Sequence, residues 1–172
     1  MAKSVIRRVF NRVLHALARQ VPGSSSLRPW LHKLRGVKMG ENIFIGDDVY
    51  VDNEYPECIE MHDGVSVSMR ALLIAHTRGP GKIILEKDSF IGPNAVVCCY
   101  AGRTIRIGEG AVVAAGAVVT RSVPARTLVA PPPSRPVAKL TRALTPSTSI
   151  DDFLAGMVPI IRKRPASRGG EK

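Results

Sequence analysis

Few residues in this chain are equipped for chemistry. His76 stands where the strand-like run Leu72-Leu73-Ile74-Ala75 gives way to Thr77-Arg78-Gly79-Pro80-Gly81. An imidazole, with an ordinary pKa near ~6.5, suits taking a proton from a hydroxyl or an amine and handing it on. A base of this kind needs a partner to orient it. Two carboxylates, Asp52 and Glu54, precede it in the chain. Taken alone, the histidine is equally at home as a solvated loop residue, and both acids as solvated corner residues. The three cysteines, Cys58, Cys98 and Cys99, form no CxxC and have no Cys/His spacing that suggests a metal. The decision rests on the elements that bring these residues together.

Those elements repeat. Aliphatic residues recur every six positions: Ile45 and Val51; Met61, Val67 and Leu73; Leu85, Ile91 and Val97; Ile107, Val113 and Val119. The phase breaks after Val51 and after Val97, each time by four extra residues, and one repeat member is missing in the loop after His76. Four positions past many of these aliphatics stands a small or β-branched residue, among them Val49, Val65, Ala71, Ala95, Ala111 and Ala117. Three six-residue faces make a triangular coil of about 18 residues, and each coil buries its apolar side only against its neighbours. The expectation is a mainly β solenoid of four to five coils over residues 37–130. An aromatic content of 5% agrees with a core of small aliphatics.

Both ends differ from this middle. Residues 3–20 carry apolar pairs at 5/6, 9/10, 13/14 and 16/17 with arginines between, an amphipathic helix with a broad apolar stripe. A short second helix is expected over 27–36, ended by Gly36. Residues 1–36 thus form a basic helical segment whose stripe either caps the stack or lies on a membrane surface. Residues 131–172 begin proline-rich, continue with a short helix over 149–161 capped by Ser149, and end in a basic tail expected to be disordered. The net charge of +11 is segregated. Residues 1–40 hold nine Lys and Arg and no acid, whereas the repeat region is mildly acidic. Nucleic-acid enzymes usually carry positive charge across the working face with aromatics interleaved, so basic ends argue against one. An odd cysteine count and the absence of a secretory apolar run read as a cytoplasmic chain.

The stretches IGDDVYV (45–51), IGPNAVV (91–97) and IGEGAVVAAGAVVTRSVP (107–124) resemble the hexapeptide-repeat acyltransferases, a family containing maltose, galactoside and serine acetyltransferases and polysaccharide O-acetyltransferases. The resemblance covers residues 37–140. It implies a left-handed parallel β-helix, here with N-terminal amphipathic helices and a short C-terminal helix. It also implies a homotrimer with shared sites and acetyl-CoA or another acyl-CoA as co-substrate, with no metal.

On this resemblance His76 is the catalytic general base. If Val51 and Leu73 share a column, Glu54 lies one coil from His76 and is expected to orient it. Asp52, six positions past Gly46, matches an Asn that binds the acceptor in maltose and galactoside transferases, so it is expected to bind substrate. Ala114, Ala115 and Gly116 match the stretch whose backbone holds the pantetheine arm; Thr120 and Arg121 match a Thr-Lys beside the nucleotide. Relatives continue with Gly-Asn-Pro-Ala-Lys, where this chain reads Ala130-Pro131-Pro132-Pro133-Ser134-Arg135, with Arg135 replacing the lysine. The implied reaction moves an acyl group to a hydroxyl or amine, with a sugar, glycan or glycolipid as acceptor. The same fold also serves γ-class carbonic anhydrases and non-catalytic scaffolds or ligand-binding modules. The former need three histidines on neighbouring faces, and only His62 and His76 fall within the repeats.

Overall fold

A computed structural model describes residues 5–143, 145 and 147–160. The chain divides into two compact units, Met1–Pro131 and Pro132–Lys172.

The first unit is a parallel β-helix. Its strands are β1 (Lys38–Met39), β2 (Phe44–Ile45), β3 (Tyr50–Val51), β4 (Ile59–Met61), β5 (Ser66–Val67), β6 (Leu72–Thr77), β7 (Lys82–Leu85), β8 (Phe90–Ile91), β9 (Val96–Tyr100), β10 (Thr104–Ile107), β11 (Val112–Val113), β12 (Val118–Val119) and β13 (Leu128–Val129). They assemble into three parallel sheets, ordered β1-β4-β7-β10, β13-β11-β8-β5-β2 and β12-β9-β6-β3. Every third strand therefore stacks on its counterpart. Phe44 pairs with Ser66, 22 positions on; Ser66 pairs with Phe90, 24 on; Phe90 pairs with Val112, again 22 on. The two four-residue insertions lengthen coils beyond 18 residues, and the loop after His76 lengthens one further.

All eleven periodic aliphatics point inward and are buried, in columns such as Ile45-Val67-Ile91-Val113 and Val51-Leu73-Val97-Val119. The small residues four positions on are buried too, from Val49 to Ala117. They leave room for the corner to close, and Asp48, Asp88 and Asn94 occupy left-handed backbone at such corners. Each of these short side chains tolerates that conformation.

Helices α1 (Val5–Gln20) and α2 (Leu27–Arg35) cover the open edge of the first coil. Gly36 ends α2 in left-handed backbone, its N–H reaching the last-turn carbonyls of His32 and Lys33. The edge carbonyls and amides of β2 and β3 find partners here. Ile45 N–H donates to Ser24 O and Asp48 N–H to Arg19 O, while the Arg28 Nη1 donates to Ile45 O at 3.1 Å. The face that α1 turns to the stack is not its apolar stripe. Asn11, His15 and Ala18 are buried, whereas Val5, Ile6, Val9, Phe10, Val13 and Leu17 are exposed.

In the second unit β14 (Ala138–Leu140) pairs antiparallel with β15 (Met157–Pro159). Helix α3 spans Ile150–Ala155, with Ser149 Oγ accepting from Asp152 N–H at 3.1 Å. The helix expected over 149–161 stops at Gly156, because Met157–Pro159 is drawn into the strand pair; Pro159 could not have supplied a helical N–H. The tail from residue 161 lies outside the described residues.

Candidate active site

The β6–β9 pairing carries an irregularity at the histidine. Ile74 pairs with Cys98 and Thr77 with Tyr100, so β6 holds one more residue than β9 over this stretch. Such a bulge turns a side chain out of the regular alternation, and it contains Ala75 and His76. The loop that follows folds back tightly, with Gly81 N–H donating to Ala75 O at 2.6 Å. A Cβ at Gly81 would lie 2.4 Å from the carbonyl oxygen of Tyr100, so only glycine fits there.

His76 is held by Asp52. Its Nδ1 lies 2.5 Å from Asp52 Oδ2, which also accepts the Ala75 N–H at 2.7 Å. The other oxygen, Oδ1, accepts the N–H groups of Glu54 and Tyr55 at 3.0 and 2.9 Å. The carboxylate is fully buried, while the imidazole remains a third exposed. A carboxylate on Nδ1 fixes that nitrogen as the proton carrier and leaves Nε2 as the base. Tyr55 stands beside the ring, at 6.0 Å between centroids.

This geometry bears on the roles expected of Glu54 and Asp52. Val51 and Leu73 do share a column, but β3 ends at Val51 and the Asp52 turn bends the chain away. The orienting bond goes to Asp52, and Glu54 pairs with Arg12 of α1 at 3.3 Å. Asp52 itself has no exposed surface to offer an acceptor.

Arg35 fixes the main chain beneath Asp52. Fully buried, its Nη2 donates to the carbonyls of Val51 and Asp52 at 3.0 and 2.8 Å, and its Nη1 to His32 Nδ1 at 2.7 Å. His15 packs edge-on against Tyr50 at 4.8 Å. Nothing in the repeat pattern pointed to this cluster, since Arg35 read as one more basic residue of a helix. Burial, reinforced by Arg35, pulls His15 down to about 4 and His32 to about 3. Both are neutral in the folded chain but take up protons below pH ~6.5 when unfolded. Their contribution is complete above that pH and is lost as pH falls toward 4. Stability should drop by about 2 kcal/mol per histidine by pH 5. Urea midpoints of the native chain and of a His15→Phe/His32→Leu variant at pH 7 and 5 check this: the native midpoint should fall much further, and equal falls would refute it.

Of the residues expected to hold a donor, Thr120 follows β12, at the far edge of the sheet that contains β6. Val97 pairs with Val119 and Ile74 with Cys98, which puts Thr120 in the column next to the histidine's strand end. Strands β6 and β12 are two apart, about 10 Å. Ala114, Ala115 and Gly116 form the turn between β11 and β12; Gly116 has φ +68° and open space where a Cβ would stand. Thr120 and Arg121 are exposed. Arg135 is exposed and belongs to the second unit.

This coil architecture, three parallel sheets stacked on a six-residue aliphatic period, is a hexapeptide-type parallel β-helix. Residues 82–121 match the family described as "Hexapeptide repeat of succinyl-transferase". Among curated proteins, the chain is 32% identical over 103 residues to a 2,3,4,5-tetrahydropyridine-2,6-dicarboxylate N-acetyltransferase of Staphylococcus aureus strain bovine RF122 / ET3-1. It is 31% identical to the protein of that name from strain JH9. The matches cover 60% of this chain but 38% of those proteins, so the chain spans well under half the length of the curated relatives it matches. Among solved structures, soybean serine acetyltransferase apoenzyme is similar over 76% of this chain and 55% of its own, at 26% identity and a TM-score of 0.48.

Proposed function

We propose that this chain is a coenzyme A-dependent acyltransferase, most simply an acetyltransferase, with His76 as general base and Asp52 as its orienting partner. The observation that carries the reading is the buried carboxylate on Nδ1 of a histidine that remains a third exposed, in a chain whose named relatives are acetyltransferases. Nε2 removes the proton from an acceptor hydroxyl or amine as that atom attacks the thioester carbonyl. The tetrahedral intermediate collapses, the C–S bond breaks, and the imidazolium returns the proton to the departing thiolate. Asp52 stabilises the imidazolium throughout.

The acceptor we infer is a sugar, glycan or glycolipid bearing a hydroxyl or an amine. The curated relatives are named for N-acetylation, which keeps the amine beside the hydroxyl. The donor runs along Ala114, Ala115 and Gly116, with Thr120, Arg121 and Arg135 toward its anionic nucleotide. We also infer a homotrimer. Its support is an outward apolar column on the five-stranded sheet, where Phe44, Phe90 and Leu128 are exposed in register with Ser66 and Val112. Three cysteines outside any disulfide suit a cytoplasmic site of action, at the inner face of the membrane.

Calorimetric titration with acetyl-CoA and with free CoA tests the donor site without any guess at the acceptor. Micromolar binding is expected, weakened about tenfold by Arg121→Glu or Arg135→Glu. A folded protein that binds neither would favour the scaffold reading, for which the altered segment Ala130–Arg135 is the specific support.

A further inference from the structure

Helix α1 is mounted the opposite way round from an ordinary surface helix. At about 100° per residue, Val5, Ile6, Val9, Phe10, Val13 and Leu17 fall within an arc of about 140°. That arc lies diametrically opposite Asn11, His15 and Ala18, the residues α1 buries. The apolar side is in solvent, with Ile6 83%, Val9 56% and Val13 53% exposed. A helix that seeks burial for its own sake turns this face inward. Here the inward position is held by other bonds. His15 packs on Tyr50 beside buried Arg35, Arg19 pairs with Asp48, and Arg12 pairs with Glu54. The polar side is the docked side, so the apolar side is fixed outward.

Charge indicates what covers it. Arg7 borders one margin of the apolar arc, and Arg8, Arg12 and Arg19 the other. Residues 1–40 contain nine Lys and Arg and no acid. Helix α2, packed against α1, exposes Leu27, Trp30 and Leu34 at helical spacing. A second copy brought onto this face would bring its own acid-free segment against the first. An anionic lipid surface instead offers hydrocarbon to the stripe and counter-charge to its margins.

From this placement we infer that the outward apolar face of α1 is a docking surface for an anionic bilayer, lying in its interface with the β-helix held beside it. The surface is independent of the transfer reaction and is read without it. On the proposed transfer reaction, the docked helix would also bring His76 to acceptors carried in or near the membrane, because Arg12 of α1 bonds Glu54, two residues from Asp52.

Flotation of the full chain with phosphatidylcholine vesicles and with phosphatidylcholine–phosphatidylglycerol vesicles tests it. The expected result is at least about tenfold more protein floating with the anionic vesicles, and a loss of that binding in a Val9→Glu/Val13→Glu variant. Both side chains are more than half exposed, so circular dichroism and CoA titration of the variant should match the native chain. Equal recovery with both vesicle types, or vesicle binding unchanged in the variant, would overturn the inference. So would a variant that leaves vesicles untouched but lowers the assembly state by light scattering, which would assign the face to a second copy.

Discussion

Replacing His76 with alanine should lower the turnover rate by about 10²- to 10⁴-fold while leaving the fold and the donor affinity nearly intact. The imidazole is a third exposed and makes its recorded hydrogen bond through Nδ1 to Asp52. Its removal deletes no core volume, because the interior beside it is filled by Leu73, Ala75 and Val97. The chain should therefore melt within a few degrees of the native protein and titrate acetyl-CoA as before. Steady-state kinetics on any accepted acceptor reads the loss. A variant retaining more than a tenth of the native rate would remove His76 from the chemistry and leave the β-helix as a binding platform.

Substitutions at Asp52 should separate holding from catalysis. The carboxylate accepts four hydrogen bonds, three from backbone N–H groups of Glu54, Tyr55 and Ala75 and one from His76. Asp52→Ala leaves those amides, the buried Ala75 N–H among them, without their acceptor and should cost about 3–5 kcal/mol of stability, less than the sum of separate losses because the turn can relax. Asp52→Asn keeps the shape and can still accept from Glu54 and Tyr55, losing the bond from the Ala75 N–H. Its amide nitrogen, however, meets the imidazole as a donor. Nδ1 must then accept, the proton moves to Nε2, and the base is lost. Turnover should fall by about 10²-fold or more with a much smaller change in melting temperature. The ¹⁵N shifts of the His76 ring report the tautomer directly. An Asn variant with native ring shifts and a native rate would show that Asp52 only closes a turn.

The core of the β-helix was legible because its code is local. A six-residue period names the inward side chain one face at a time, and Ile45 through Val119 all follow it. The column shared by Val51 and Leu73 was legible for the same reason. The period fails where the chain leaves the strands. Glu54 is a correct count from Val51 along a strand that ends at Val51, and the Asp52 turn makes the count meaningless. The bulge at Ala75 and His76 is a relation between two strands, so no inspection of β6 alone reveals it. Helix α1 shows the same limit at larger scale. Its amphipathicity was plain, but which face docks depends on Arg35 and Tyr50 beneath it. These are partners the helix meets only in the folded chain.

The two ends of the solenoid are finished differently, and this governs whether it can grow. A parallel stack exposes the same edge at each end, and an uncovered edge is a template for another chain. The helices occupy the first edge. At the other, the three sheets end on β10, β12 and β13, and after Leu128 and Val129 of β13 the chain continues as Ala130-Pro131-Pro132-Pro133. Three consecutive residues without an N–H cannot extend a ladder. The chain itself therefore adds no further rung past β13, and the number of coils is fixed by where the prolines stand.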